Sequence, residues 1–249
     1  MDSIRTEGGD VIRIPRIYIP ADSIHDEITL DSEQSHYLKN VLRTAKSDVI
    51  ISFDGAGRVD IWEHVGVAGG KVTLRHRDSA SGPRSAPINL TLALNPLKGS
   101  AEEDAIRAAA AFEVNKLIPV IFERSDIPWD KESLSKRREK WSKWCESEVA
   151  QSGGAWLPEI GEPAILKEFL SISRSGFIFF EETTAPIERP EISSGSDIVA
   201  LVGPEGGIEE DELNQAISSG LKIATLGPWI LRARLAASMV PLWIYSHVH

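Results

Sequence analysis

The chain of 249 residues has a single cysteine, Cys145, so it can form neither an internal disulfide nor a cysteine-built zinc site. Cys145 falls in an amphipathic stretch and reads as a core thiol. No apolar run approaches the ~20 residues that a bilayer span needs. The opening MDSIRTEGGD lacks the apolar core of a secretory signal and reads as a flexible leader over residues 1–13. The expected compartment is the cytoplasm, with no membrane partner. The six histidines show no ligand-like spacing, so no metal is expected. Positive charge is also scarce. With 27 Lys and Arg against 37 Asp and Glu, the net charge is −10, which argues against a protein that coats nucleic acid nonspecifically. Specific recognition of RNA would require a local basic patch. The chain has no GxxxxGK[ST], which excludes a phosphate-loop NTPase, and no GxGxxG after a first strand, which argues against a dinucleotide cofactor.

What is present has the balance of an ordinary globular protein, 42% hydrophobic and 26% charged. The first part is β-rich. A short extended RIYIP (Arg16 to Pro20) precedes DSEQSHYLKNVLR, where Asp31 or Ser32 can cap a helix with Leu38, Val41 and Leu42 on one stripe. Strands are predicted over Val49 to Phe53, Arg58 to Trp62 and Lys71 to Arg77, with a DGAG turn at Asp54 to Gly57, suggesting a small barrel or sandwich. Asp78 to Pro87 is rich in Ser, Gly and Pro and reads as a linker. Beyond it, strands alternate with helices. Strands are predicted over Ile88 to Asn95, Leu117 to Phe122, Phe177 to Phe180, Ile198 to Val202 and Ala224 to Leu226. The helices are one opened by a capping box from Ser100 to Glu103, a long charged one over Asp130 to Gln151, Glu209 to Ser219, and a last one from Leu231 that Pro241 kinks or restarts. Such alternation implies a mainly parallel sheet covered on both faces. Trp141 and Trp144 could stack on bases, but core packing is the expected use.

In a sheet of this kind, ligands bind beyond the carboxyl ends of the strands. Two glycine loops follow strands here: LVGPEGG at Leu201 to Gly207 and LGPWILR at Leu226 to Arg232. Glycine lets backbone approach a ligand closely, and proline stiffens the loop. Read alone, each loop is either a cofactor wall or an ordinary strand-to-helix turn.

Taken together, LVGPEGGIEEDEL and LGPWILR resemble the C-terminal signature of the ribosomal RNA small subunit methyltransferase E family. That family is uridine-N3-specific and belongs to the SPOUT superfamily. RIYIP, HYLKNVLR, NPLKG (Asn95 to Gly99), PVIFERS (Pro119 to Ser125), AQSGGAWLPEI (Ala150 to Ile160) and FFEE (Phe179 to Glu182) extend the likeness in family order. The resemblance implies an α/β fold: a SPOUT methyltransferase domain with a deep trefoil knot over residues 86–249, preceded by a small PUA-like β-barrel that helps hold RNA over 14–80. It also implies a homodimer, S-adenosyl-L-methionine (SAM) as the cofactor, and small-subunit (16S) ribosomal RNA, free or in the assembled subunit, as the partner. By position, the SAM residues are Leu201, Gly203, Glu205, Gly206, Gly207, Leu226, Gly227, Ile230 and Leu231, with Glu181 after the FF strand.

SAM carries an activated methyl group, so the protein must mainly align the acceptor and exclude water. Uracil N3 bears a proton at neutral pH, and a guanidinium beside the base would favour the anion. Arg232, which matches the family's arginine in the second loop, is the expected catalytic residue. Arg124 is a candidate for phosphate or for the partner subunit. Lys39, Arg43 and Lys46, at helical spacing, offer either a solvated face or an RNA surface that Arg16, Arg75 and Arg77 would extend. The sequence departs from the family pattern at Trp229, at Ala233, Arg234 and Leu235 after Arg232, at Ala108 and Ala111, and at Ala150 and Gly154. These changes put acceptor handling in doubt more than cofactor binding, and a diverged member with a lost or shifted acceptor is the alternative.

Overall fold

The structure is a computed structural model that describes residues 3–5, 11–126, 130–172, 175–180, 190–227, 231 and 233–249. It divides into two compact units, Met1–Arg84 with Glu146–Trp156, and Ser85–Cys145 with Leu157–His249.

In the first unit, β1 (Ser3–Arg5) and β2 (Val11–Arg13) pair antiparallel, so the segment expected as a flexible leader contains two paired strands. The main sheet has five strands: β3 (Arg16–Tyr18), β4 (Glu27–Thr29), β5 (Val49–Phe53), β6 (Arg58–Ala68) and β7 (Lys71–Ser81), in the order β3-β5-β6-β7-β4. β7 runs on through Asp78 to Ser81, residues expected in the linker. Its partner β6 is just as long, and Arg58 pairs with Ser81, so backbone pairing overrides the local composition. Alternate residues of β6 face inward. Trp62 is fully buried, donates to Ser52 Oγ at 2.8 Å, and packs with Ile17, Leu38, Ile50, Val72 and Leu74.

The inward carboxylate of Asp60 is fully buried and accepts from Arg58, from Ser79 Oγ (2.6 Å) and from His76 Nε2 (2.8 Å). Burial pushes its pKa up, but these hydrogen bonds outweigh burial and hold it below the ordinary carboxylate value. A folded-state pKa below the unfolded one adds stability above the unfolded value, and that stability is lost as pH falls through the folded value. Asp60→Asn is therefore expected to lose about 1–3 kcal/mol at pH 7 and to flatten the acid limb of stability below about pH 4. Urea melts from pH 7 to pH 3 would show a parallel loss in both proteins if Asp60 plays no such part.

The predicted helix over Asp31 to Arg43 is shorter than its pattern. Asp31 accepts from Gln34 N at 2.7 Å and caps α1 (Ser32–His36), as expected. The chain then widens into a π turn over Tyr37–Val41, with Leu42 N bonded to Tyr37 O, and Arg43 takes a left-handed conformation (φ 55°). Lys39, Arg43 and Lys46 therefore do not share a helical face, because the helix has ended. Lys39 Nζ donates to Gly70 O at 3.1 Å.

Glu146–Trp156 also belongs to this unit, which no local pattern signals. Gly57 N donates to Ala155 O at 3.1 Å and Trp156 Nε1 to Gly82 O at 2.9 Å. Gly57 has φ +97°, and any Cβ there would lie 2.4 Å from the Trp156 ring. Ala155 and Trp156 of the AQSGGAWLPEI motif thus seat on the DGAG turn.

The second unit is the expected parallel sheet. Its elements are β8 (Asn89–Leu94), α2 (Ser100–Ala111), β9 (Lys116–Ile121), α3 (Lys131–Ser152, of which the part up to Cys145 counts here), β10 (Glu159–Ile160), β11 (Ala164–Ile165), α4 (Leu166–Phe169), β12 (Gly176–Phe179), β13 (Asp197–Val202), α5 (Glu210–Ser218), β14 (Leu221–Ala224) and α6 (Ala233–Tyr245). Strand order is β10-β9-β8-β13-β12-β14, with β11 also on β9, and every pairing is parallel. The central strands are buried along nearly their whole length, as strands covered on both faces must be. Leu201, Ile178, Val120 and Phe169 lie in one core cluster, and Trp141 and Cys145 are buried as expected.

Two local expectations change. Ser100 forms no capping box: the cap position is Gly99 (φ 60°), without a side-chain cap, and Ser100 is already the first helical residue. β14 begins directly after Gly220, three residues before the predicted start, because no loop separates it from that turn. Pro241 lies inside α6, which runs on through it. Among the described residues no helix is long and apolar enough to cross a membrane.

Candidate functional site

The sheet order reverses beside β8. The chain moves from β8 to β9 on one side, while β13, β12 and β14 lie on the other. The crevice at the carboxyl ends of β8 and β13 is thus a topological switch point, where open α/β sheets bind ligands. There Asn95 N donates to Val202 O at 3.0 Å, joining the start of NPLKG to the start of the PEGG loop. Arg137 bonds both Leu97 O and the buried Glu102, which fixes that side of the crevice.

The PEGG loop encloses a cavity of about 370 Å³ lined by Phe179, Val202, Gly203, Pro204, Glu205, Gly207, Ile208, Leu231, Ala233 and Ala236. This size lies within the ~300–1,000 Å³ of small-molecule sites. Gly207 takes φ 82° and closes a turn onto Pro204 O at 3.1 Å. Gly203 is buried, and a Cβ on it would lie 2.5 Å from Ile208 Cγ1, so a larger residue would have to displace the Ile208 side chain from the cavity wall. Below the loop, α5 opens with a reciprocal capping box between Glu209 and Glu212, a device the sequence had shown only as an acidic first turn.

Of the expected cofactor residues, Gly203, Glu205, Gly207 and Leu231 come together around this cavity. Leu201 does not: it is fully buried in the core cluster on central β13, paired with Ile178 and Ala93. Gly206 lies against Arg124. Leu226 and Gly227 are half-buried in the second loop, which Thr225 Oγ1 organises by donating to Gly227 O at 2.8 Å. Glu181, Ile230, Arg232 and Trp229 lie outside the described residues. Phe179, Ile208, Ala233 and Ala236 were not expected at the site, although the first two lie in or beside quoted motifs.

The expected RNA residues separate. Arg16 is buried, with its guanidinium 5.8 Å from the Phe53 ring centroid and bonded to Gly154 O, so its place is structural. Arg43 and Lys46 are exposed. Arg124 pairs with Glu209 at 2.6 Å. Arg234, one of the departures, pairs with Asp104 on α2 at 3.3 Å, while Ala233 beside it lines the cavity. A larger hollow of about 710 Å³, lined by Glu123, Glu209, Glu210, Asp211 and Glu212 among others, would repel phosphate and carboxylate alike. Among the described residues no group of three His, Cys, Asp or Glu could hold a metal.

Fold and site together define an α/β protein with a small-molecule pocket walled by a glycine loop beyond the carboxyl ends of β12 and β13 in a parallel sheet. Residues 84–244 match the model of the RNA methyltransferase domain family, and the chain belongs to that family. It is 29% identical over 230 residues to ribosomal RNA small subunit methyltransferase E of Rickettsia conorii, covering 89% of this chain and 91% of the relative. Identity to the enzyme of that name from Synechocystis is 27%, covering 90% and 74%. A crystal structure of ribosomal RNA small subunit methyltransferase E from Neisseria gonorrhoeae bound to S-adenosyl methionine superposes with a TM-score of 0.80 at 25% identity, covering 94% of this chain and 98% of that one. A methyltransferase from Legionella pneumophila, solved with SAM, shares the fold with a TM-score of 0.87 at 24% identity, covering 95% and 99%.

Proposed function

We propose that the chain is a SAM-dependent methyltransferase that methylates N3 of a specific uridine in small-subunit ribosomal RNA. The observation that carries this reading is the cavity beyond the carboxyl ends of β12 and β13, bordered by a PEGG loop whose Gly203 packs closely against Ile208. Its lining suits SAM: Phe179, Val202, Ile208 and Leu231 can flank an adenine ring, and the loop backbone can meet its polar edges. When bound, SAM supplies the methyl group. The chain's own task is to hold the acceptor in line, exclude water, and stabilise the anionic base with Arg232.

The finer architecture belongs to the same proposal: a knot through the two glycine loops, a PUA-like barrel built on the five-stranded sheet, a homodimer, and action in the cytoplasm. Exposed Arg43 and Lys46 remain the candidates for RNA backbone. A second reading, a member with a shifted acceptor, is favoured by one observation: Ala233 brings a methyl group to the cavity where the resembled family carries a hydroxyl.

Two measurements test these readings. Calorimetry is expected to detect binding of S-adenosylhomocysteine, and its absence removes both. Small subunits from a strain lacking the modification, incubated with enzyme and SAM, are expected to yield 3-methyluridine on nucleoside mass spectrometry. Cofactor binding without that product favours the shifted acceptor.

A further inference from the structure

The cofactor cavity is only as well shaped as its loop, and one side chain outside the cavity holds that loop at two points. Arg124 lies in the turn after β9, where Ser125 N closes onto Phe122 O. Its Nε donates to Glu209 Oε1 at 2.6 Å and its Nη1 to Gly206 O at 3.3 Å. Between Gly203 and Ile208, Gly206 alone does not line the cavity. A Cβ on Gly206 would lie 3.2 Å from Arg124 O and 3.3 Å from Arg124 Cβ, and one on Gly207 would lie 3.6 Å from Nη1. The paired glycines therefore admit Arg124 to the back of the loop as well as a ligand to its front. A second tie runs parallel, since the buried Glu212 accepts from Glu123 N at 2.7 Å and Glu209 N at 3.1 Å.

We propose that Arg124, through Glu209 and Gly206, is a positioning residue that latches the PEGG loop in its cofactor-binding shape, and is not a contact to RNA. The inference rests on the SAM reading above. Both partners of the ion pair are roughly half exposed (50% and 41%), so the pair adds little to global stability. Its effect is to spare the cofactor the ordering of a loose loop, because a planar guanidinium can hold a carboxylate and a carbonyl at once.

The test compares wild type with Arg124→Ala, Arg124→Lys, Glu209→Gln and the Arg124→Ala/Glu209→Gln double variant. Arg124→Ala is expected to weaken S-adenosylhomocysteine binding by roughly three- to tenfold. It should raise KM for SAM with kcat within about twofold, and speed amide exchange at Gly206 and Gly207. Arg124→Lys recovers part of the loss, since an ammonium cannot hold both partners. Glu209→Gln keeps a helix-capping acceptor but loses the charge, so it mimics Arg124→Ala, and the double variant is no worse than either. Unchanged affinity and unchanged exchange in Arg124→Ala would overturn the latch. So would weaker RNA binding with a lower salt slope at normal loop exchange, which would mark Arg124 as a phosphate contact. If wild type binds no S-adenosylhomocysteine, the cofactor reading fails by itself, and loop exchange in the variants still decides the latch. If Arg124→Ala loses its cooperative thermal transition, Glu209→Gln carries the test.

Discussion

Replacing Arg232 with alanine is expected to lower methyl transfer at least a hundredfold while leaving affinity for S-adenosylhomocysteine within about tenfold. The asymmetry follows from the chemistry of the proposed uridine-N3 transfer. A methyl group already activated on sulfur needs little from a side chain, whereas a uracil N3 that keeps its proton has no free lone pair to attack with. A guanidinium stays charged at every working pH, so it can stabilise the anionic base without titrating itself. Its two sequence neighbours, Leu231 and Ala233, both line the cavity. The loss falls on the transition state, so kcat drops and cofactor binding does not. Raising the pH should recover part of the variant's rate, because the acceptor then ionises unaided. Single-turnover assays on small subunits would measure both effects. Wild-type turnover in the variant, or a loss confined to SAM binding, would remove Arg232 from the chemistry.

Gly176→Ala should destabilise the second unit by about 3 kcal/mol or more, among the largest effects of a single methyl group. β12 lies between β13 and β14, and Gly176 pairs with Val199 on one side and Leu221 on the other. Its φ is +156°, and a Cβ there would stand 2.0 Å from Val199 O and 2.7 Å from Val199 N. These contacts are with backbone, which cannot rotate aside as a side chain could, so β12 would have to part from β13. Phe179, at the far end of β12, lines the cavity, so cofactor binding should fall together with stability. Thermal unfolding should show a drop of roughly 6–12 °C or insoluble expression. A midpoint within a degree of wild type would contradict the geometry.

Periodicity and turn chemistry made much of this legible beforehand. The buried runs at Ile88 to Asn95 and Ile198 to Val202 became β8 and β13 within a residue at their ends, because strands covered on both faces carry continuous apolar runs. The PEGG segment was legible as a glycine loop between a strand and a helix, either a cofactor wall or an ordinary turn when read alone, and it borders a cavity. What stayed hidden was nonlocal. Nothing in AQSGGAW announces that Trp156 will rest on Gly57, or that Arg16 will reach Gly154 O. The shared face of Lys39, Arg43 and Lys46 failed because a π turn and a left-handed Arg43 end the helix, and helical spacing cannot report either. Arg124 read as a candidate for phosphate or the partner subunit, since its carboxylate partner lies 85 residues away. Leu201 was assigned by adjacency to the loop, yet the last turn of a central strand points its side chain into the core.

The pairing of β8 with β13 also sets an order of events during synthesis. Asn89 Nδ2 bonds Asp197 Oδ1 across 108 residues, and Arg16 meets Gly154 across 138. Neither unit can complete itself from the first half of the chain, since the first lacks Glu146–Trp156 and the second lacks its middle strand. A growing chain therefore carries β8, with its buried-type apolar face, through the making of a hundred further residues before β13 arrives to pair with it. Folding is then slow and late, set by closure of long loops and not by local helix formation. Throughout that interval β8 can pair only with β9, and its other edge stays open to wrong partners.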